Sequence, residues 1–279
     1  MGQFLTLRRV LLAGGFALVF LGVPSVAHAD DPNLTVSARR YGDRVVIVAR
    51  MTGISDAMID VSAQLQNMAA SRPLPATFQV SGIGDHTLVT LQATTPALHW
   101  SYNWKQEWRA GHRLAAKPQP FLYHLPYHGD RYRVIQGPYG HFSHYLGSES
   151  EESIDFAMPV GTTICAARGG AVVGIRTDCT RGGVAPRYIP DCNYIIIRHS
   201  DGTYARYLHL EQDGSFVHMG EKVQTGEPIG RSGQTGYTSA PHLHFEVFYA
   251  ASGHRRVDLP IVFAGPGGQP FKPEQGRVY

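Results

Sequence analysis

Short apolar, β-like runs recur between turn signals through the first part of the chain, about residues 30–120. Leu34-Thr35-Val36-Ser37-Ala38, Val45-Val46-Ile47-Val48-Ala49 and Thr87-Leu88-Val89-Thr90-Leu91 have strand composition. Tyr41-Gly42-Asp43 and Gly82-Ile83-Gly84-Asp85 supply turns between such runs. Short strands at this spacing predict a β-sandwich-like domain over residues 30–121. Trp100-Ser101-Tyr102-Asn103-Trp104 alternates aromatic with polar residues. Core and edge packing explains it more simply than a carbohydrate platform. Lys117-Pro118-Gln119-Pro120 is an extended connection, and a domain boundary is expected near residue 122.

The second half, 122–279, shows almost no helical periodicity and predicts an antiparallel β-sheet with long loops. A strand over 193–199, the turn Ser200-Asp201-Gly202-Thr203 and a return strand over 204–210 predict a hairpin. In that return strand His209 alternates with Tyr207 and Ala205 on one face. The stretch Ala240-Pro241-His242-Leu243-His244-Phe245-Glu246-Val247 alternates as well. As a strand it places His242, His244 and Glu246 on one face and Leu243, Phe245 and Val247 on the other. Two imidazoles aimed into one space can ligate a metal or divide ligation and proton transfer between them. Asp155 sits between apolar residues in Ile154-Asp155-Phe156, where an acid needs a partner. Ahead of it lie the Gly- and aromatic-rich run Gln136 to His144 and a polar insert, 147–153, with three glutamates, expected to be exposed.

Composition narrows the class. With 43% hydrophobic and 17% charged residues the chain is of globular type, and 31 Gly and 18 Pro suit a turn-rich β fold. The formal net charge is +3, two units of it from Arg8 and Arg9, so nothing argues for nucleic-acid binding. Arg8 and Arg9, the apolar run 10–23 and Ala27-His28-Ala29 have the layout of a signal peptide over 1–29. The run is short for a membrane span, so the expectation is an exported protein, periplasmic or extracellular, with no stable span after processing. Export makes a disulfide available. Cys179 and Cys192 bracket a Gly/Pro/Arg loop and are expected to pair, and Cys165 is expected as a buried free thiol. His86, His99, His112, His199, His218 and His254 read as surface residues.

Four blocks in order give a more specific signal: Asp155-Phe156-Ala157-Met158-Pro159-Val160-Gly161-Thr162; Tyr207-Leu208-His209-Leu210; Gly220-Glu221-Lys222-Val223-Gln224-Thr225-Gly226-Glu227-Pro228-Ile229-Gly230; and Gly233-Gln234-Thr235-Gly236 running to Pro241-His242-Leu243-His244-Phe245-Glu246. Over about residues 134–249 the chain resembles the lysostaphin/LytM-type zinc endopeptidases of bacterial cell walls. The resemblance implies their duplicated-hybrid-motif-like β fold and one Zn2+ per chain. By position it makes Asp155 and His244 metal ligands and sets His209 and His242 beside the attacking water as catalytic residues. The family's other ligand is a histidine upstream of the aspartate, often four residues before it. Here that position is Glu151, and His144 resembles the ligand of members with a longer insert. His141 is the first alternative, followed by His128 and Glu151. Tyr132, Tyr139 and Tyr145 are candidate oxyanion donors, and Glu246 a candidate partner for a ligand histidine.

The resemblance implies hydrolysis of peptide bonds in peptidoglycan cross-links or stem peptides. Two alternatives stand beside it: a ligand-deficient regulator of other wall hydrolases, and a secreted peptidase acting on foreign walls or glycine-rich proteins. The insert 147–153 bears on the first, because it must let His144 reach the metal. The first domain lies outside the resemblance, and an inhibitory lid is one role for it.

Overall fold

The structure is a computed structural model and describes residues 31–279. The expected signal peptide lies outside the described residues. Among those described, no helix is long and apolar enough to cross a membrane.

The first seven strands are β1 (Leu34–Tyr41), β2 (Arg44–Met51), β3 (Asp56–Gln66), β4 (Met68–Ala70), β5 (Ala76–Ser81), β6 (Gly84–Ala93) and β7 (Ser101–Ala110). They form two antiparallel sheets, ordered β1-β2-β6-β4 and β5-β3-β7. Val45, Ile47, Met51 and Leu91 of one sheet and Ile59, Val61, Phe78 and Trp108 of the other share a core. Trp100, Tyr102 and Trp104 pack against that core as partly buried residues, which favours the packing role expected of them.

The rest of the chain contributes β8 (Leu122–Tyr123), β9 (Val134–Gln136), β10 (Ile154–Ala157), β11 (Thr163–Cys165), β12 (Gly170–Arg176), β13 (Gly182–Gly183), β14 (Tyr194–Arg198), β15 (Tyr204–Leu208), β16 (Leu210–Ser215), β17 (Lys222–Val223), β18 (Pro228–Ser232), β19 (Gly236–Tyr237), β20 (His242–Ser252), β21 (Arg255–Asp258), β22 (Val262–Ala264) and β23 (Pro270–Phe271). The main sheet runs β17-β12-β14-β15-β20-β10-β9, with β21 also on β20, and every pairing in it is antiparallel. A second sheet, β11-β18-β16, covers one of its faces. Two short parallel pairings, β13 with β19 and β8 with β22, are the exceptions to the antiparallel plan.

The alternation in β20 sorts its side chains as the sequence predicts. Leu243, Phe245 and Val247 enter a core with Ile154, Phe156, Ala205, Tyr207, Ile195 and Ile197. The opposite face carries His242, His244, Glu246 and Phe248 in that order. Phe248, with Val173, Tyr194, Ile196 and Tyr204, belongs to the same apolar cluster as the N-terminal sheets. Those sheets therefore pack on the histidine-bearing face, farther along β20.

The contact is not only apolar. Ile54 forms a β-bridge with Gly174, Ser55 N donates to Val173 O at 2.8 Å and Ile175 N to Gly53 O at 2.9 Å. Buried Asp56 accepts from Arg198 Nη1 at 2.8 Å and from the Tyr204 hydroxyl at 3.1 Å. Such buried polar groups are tolerated because each is paired. His112, expected on the surface, is half-buried here, and its Nε2 donates to Val80 O at 2.8 Å.

The expected Cys179–Cys192 pairing is corrected: all three cysteines are thiols. Asn193 explains the geometry. Its side chain accepts from Cys179 N at 2.9 Å and donates to Cys179 O at 2.8 Å, while Cys192 Sγ turns to the His209 ring, 3.7 Å from Nδ1. Cys165 is a buried thiol, as expected.

Candidate metal centre

Register brings Asp155 and His244 together. In the β10–β20 ladder they are direct partners, and Ala157 faces His242. Directly opposed residues in an antiparallel pair project to the same side with Cβ atoms about 5 Å apart. His144 arrives from the loop after β9. Gln136, at the end of that strand, accepts from Phe142 N at 3.0 Å and Ser143 N at 3.2 Å, and donates to Ser143 Oγ and to Asp155 Oδ2 at 2.8 and 3.2 Å. This one amide shapes the loop and holds the acid. Gly140 is required there, since a Cβ would come within 2.7 Å of Gln136 Cγ. The insert 147–153 does not hold His144 away. Gly147 is exposed as expected, but residues 148–152 are half-buried and Ser153 is fully buried.

The three potential ligand atoms converge. His144 Nε2 lies 3.3 Å from His244 Nδ1 and 3.4 Å from Asp155 Oδ1, and His244 Nδ1 lies 2.9 Å from Asp155 Oδ1. Among the described residues this is the group of His, Cys, Asp and Glu side chains that could hold a metal ion. Tetrahedral zinc with bonds of about 2.0–2.1 Å needs ligand atoms about 3.4 Å apart, so the set fits. His144 is 0% exposed. His141 and His128 are exposed and Glu151 half-buried; the Glu151 carboxylate accepts from Gly147 N at 2.7 Å.

Each histidine has an acceptor on its far side, and these acceptors set the tautomers. His144 Nδ1 donates to Gly137 O at 3.3 Å, leaving the Nε2 lone pair towards Asp155 and His244. His244 Nε2 donates to Glu246 Oε2 at 3.4 Å, which leaves Nδ1 as the atom that could ligate a metal. His209 Nδ1 donates to Thr235 O at 2.7 Å, and His242 Nδ1 to Ala240 O at 2.9 Å. Both of the latter therefore present an unprotonated Nε2. His242 Nε2 is 3.8 Å from Asp155 Oδ1, and the His209 and His242 rings are 4.5 Å apart.

His209 departs from the expected alternation. Tyr207 and Ala205 point into the core, and a regular strand would have sent His209 with them. Instead His209 takes φ +63° at the break between β15 and β16. A left-handed non-glycine residue costs of order 1–3 kcal/mol. Here it re-aims the imidazole at His242.

The electrostatics follow from burial and neighbours. Burial alone would raise the Asp155 carboxyl, but hydrogen bonds from His144 and His244 hold it far below the usual carboxylate range. Burial lowers His209 to about 3, reinforced by His242 and His244. Burial also lowers His242, against the pull of Asp155. Both rings are thus neutral near pH 7. His244 is the opposite case: burial lowers it, but Asp155 and Glu246 together raise it to about 9. Metal ligation through Nδ1 would release a proton.

Of the three tyrosines considered as oxyanion donors, Tyr139 bonds Glu152 and Tyr132 donates to Asp130 Oδ2 at 3.2 Å, while Tyr145 is exposed. Sequence reasoning missed Gln136, Ser153, Arg206 and Arg256. The last two are arginines in strands, and only the three-dimensional fold brings both onto Glu246. His199, expected on the surface, is 3% exposed, with Nδ1 donating to Gly169 O at 3.0 Å.

Comparison with known proteins locates the same region. Residues 149–258 match the sequence model of Peptidase family M23. The chain is 40% identical over 93 residues to the peptidoglycan DD-endopeptidase ShyA of Vibrio cholerae serotype O1, covering 33% of this chain and 19% of that protein. It is 30% identical over 131 residues to the glycyl-glycine endopeptidase ALE-1 of Staphylococcus capitis, covering 47% and 33%. The chain thus spans a fifth to a third of these relatives' length. Among solved structures, the catalytic domain of lysostaphin from Staphylococcus simulans is 29% identical and covers 46% of this chain and 87% of that one, with a TM-score of 0.32. Residues 149–258 thus match Peptidase family M23, in agreement with the LytM/lysostaphin-type resemblance of the sequence blocks.

Proposed function

We propose that this chain is an exported zinc endopeptidase that hydrolyses peptide bonds in the cross-links or stem peptides of bacterial peptidoglycan. The observation that carries the reading is the convergence of His144 Nε2, Asp155 Oδ1 and His244 Nδ1 within 2.9–3.4 Å beside two neutral imidazoles. Two imidazoles and one carboxylate are a donor set that suits zinc and leaves it one positive charge. When bound, the ion polarises the scissile carbonyl and lowers the pKa of water. His144, Asp155 and His244 hold it. His242 Nε2 accepts the proton of the attacking water and returns it to the leaving amine. His209 Nε2, adjacent to it, shares that duty. Peptide-bond cleavage in walls is supported by relatives named as a peptidoglycan DD-endopeptidase and a glycyl-glycine endopeptidase. Export is supported by the Arg8-Arg9 and apolar 10–23 pattern.

A regulator without catalytic capacity finds less support, since no ligand position is missing. The test incubates purified protein, as wild type and as His244→Ala, with isolated peptidoglycan and weighs the fragments. One zinc per chain and chelator-sensitive new peptide termini with wild type alone are expected, and the masses name the bond. Zinc-free, inactive wild type would put the regulator first.

A further inference from the structure

Glu246 is 0% exposed and lies two residues beyond His244 on the same face of β20. Four side chains converge on its carboxylate. Arg256 is bidentate, Nη1 to Oε1 at 3.0 Å and Nη2 to Oε2 at 2.8 Å. Arg206 Nε donates to Oε1 from the neighbouring strand β15, where Arg206 and Glu246 are direct partners. Ser153 Oγ donates to Oε2 at 3.3 Å, and His244 Nε2 completes the set at 3.4 Å. A buried carboxylate facing two guanidinium groups is held in one place by geometry, not by solvent.

Resting on the zinc-peptidase reading, we propose that Glu246 is a positioning residue of the metal centre: clamped by Arg206 and Arg256, it fixes the ring of His244 so that Nδ1, not Nε2, faces His144 and Asp155.

The alternatives for His244 make the role specific. An imidazole can ligate through either nitrogen, and a half-turn about its χ2 would put Cδ2 where Nδ1 lies and carry Nε2 to the place of Cε1, away from Glu246. Asp155 and His144 both approach the Nδ1 side, at 2.9 and 3.3 Å. In the observed orientation both nitrogens meet a partner, and Glu246 is the acceptor that holds the Nε2 side. The clamp in turn has its own anchors. Both arginines lie over the Phe248 ring, Arg206 at 5.7 Å and Arg256 at 5.0 Å from its centre, and Arg256 Nη2 also donates to Glu149 O. Carboxylates behind ligand histidines usually contribute 10–100-fold in metal affinity.

The test measures zinc affinity of the full chain by chelator competition, the visible absorption of the Co2+-substituted protein, and thermal unfolding of the metal-free protein. Glu246→Gln is expected to weaken zinc about 10–100-fold and to change the Co2+ bands. A lower unfolding temperature with wild-type zinc affinity and wild-type Co2+ bands would reduce Glu246 to a structural ion-pair member and overturn the inference. If Glu246→Gln does not fold, Arg206→Gln serves in its place, because it leaves the bidentate Arg256 contact. A smaller weakening in the same direction is expected, and unchanged affinity would overturn the proposal. Wild-type protein that binds no zinc would sink the peptidase reading itself, whereas zinc-binding wild type with an indifferent variant sinks this inference alone.

Discussion

Arg109, on the last strand of the N-terminal sheets, donates through Nη2 and Nε to Glu149 Oε1 at 3.0 and 3.1 Å. Glu149 lies in the segment between His144 and Asp155, so the first half of the molecule touches the loop that joins two candidate ligand positions. Arg109 is buried and also donates to Trp108 O at 3.0 Å, which leaves it little freedom. Arg109→Ala is expected to lower stability by about 1–3 kcal/mol and to speed amide exchange across 147–153. Denaturant unfolding with exchange mass spectrometry checks both, and exchange unchanged in that segment would separate the pair from the loop.

Removing residues before 122 tests the lid idea directly. The fragment would expose Val173, Tyr194, Ile196, Tyr204 and Phe248, all buried against the N-terminal sheets, each worth about 1.5–3 kcal/mol when fully buried. It would also leave Arg198 without Asp56. The fragment is expected to aggregate or to fold poorly, as seen by light scattering and circular dichroism. A soluble, folded fragment more active than the full chain would restore the lid.

Ligand and proton-transfer positions separate experimentally. His144→Ala is expected to lose stoichiometric zinc, and His141→Ala, an exposed position, to keep it. His242→Ala is expected to retain zinc while losing about 10²–10⁴-fold in turnover. Metal analysis beside a cleavage assay distinguishes the three, and zinc lost from His141→Ala would reassign the upstream ligand.

Acid stability carries a signature of His199. Burial lowers this ring to about 4 from an ordinary 6.5, with Arg168 adding to the shift and the Gly169 carbonyl opposing it. Above pH 6.5 neither state is protonated, and the folded protein loses nothing. As pH falls from 6.5 to about 4 the unfolded chain takes up a proton that the folded protein does not, so stability declines across that window by about 3 kcal/mol. His199→Asn, whose amide can still donate to Gly169 O, is expected to flatten that decline. Urea unfolding of both proteins between about pH 7 and pH 4 measures it, and parallel curves would remove His199 from the acid response.

Legibility in the sequence tracked how local each determinant is. His242, His244 and Asp155 could be read because strand alternation alone aims them, and the opposed apolar residues Leu243, Phe245 and Phe156 marked the core side. His209 could be found by motif but not aimed, since its direction depends on a left-handed backbone that no pattern of side chains announces. His144 and His141 differ only in how Gln136 folds their loop. The cysteines misled because export and spacing suggest a pair, whereas Asn193 takes up the backbone of Cys179. Arg206 and Arg256 looked like ordinary strand charges until Glu246 supplied their partner across the sheet.

The order along β20 couples synthesis quality to activity. Histidines, the clamped glutamate and the aromatic seat for the N-terminal sheets occupy every second residue of one strand. A slip by a single residue would send both histidines and Glu246 into the apolar core and turn Leu243, Phe245 and Val247 outward together. No half-registered intermediate could keep the site while losing the domain contact, or the reverse. The strand therefore works as a proofreading rule: a chain whose β20 is in register to seat the first half has, by the same register, already set His244 opposite Asp155.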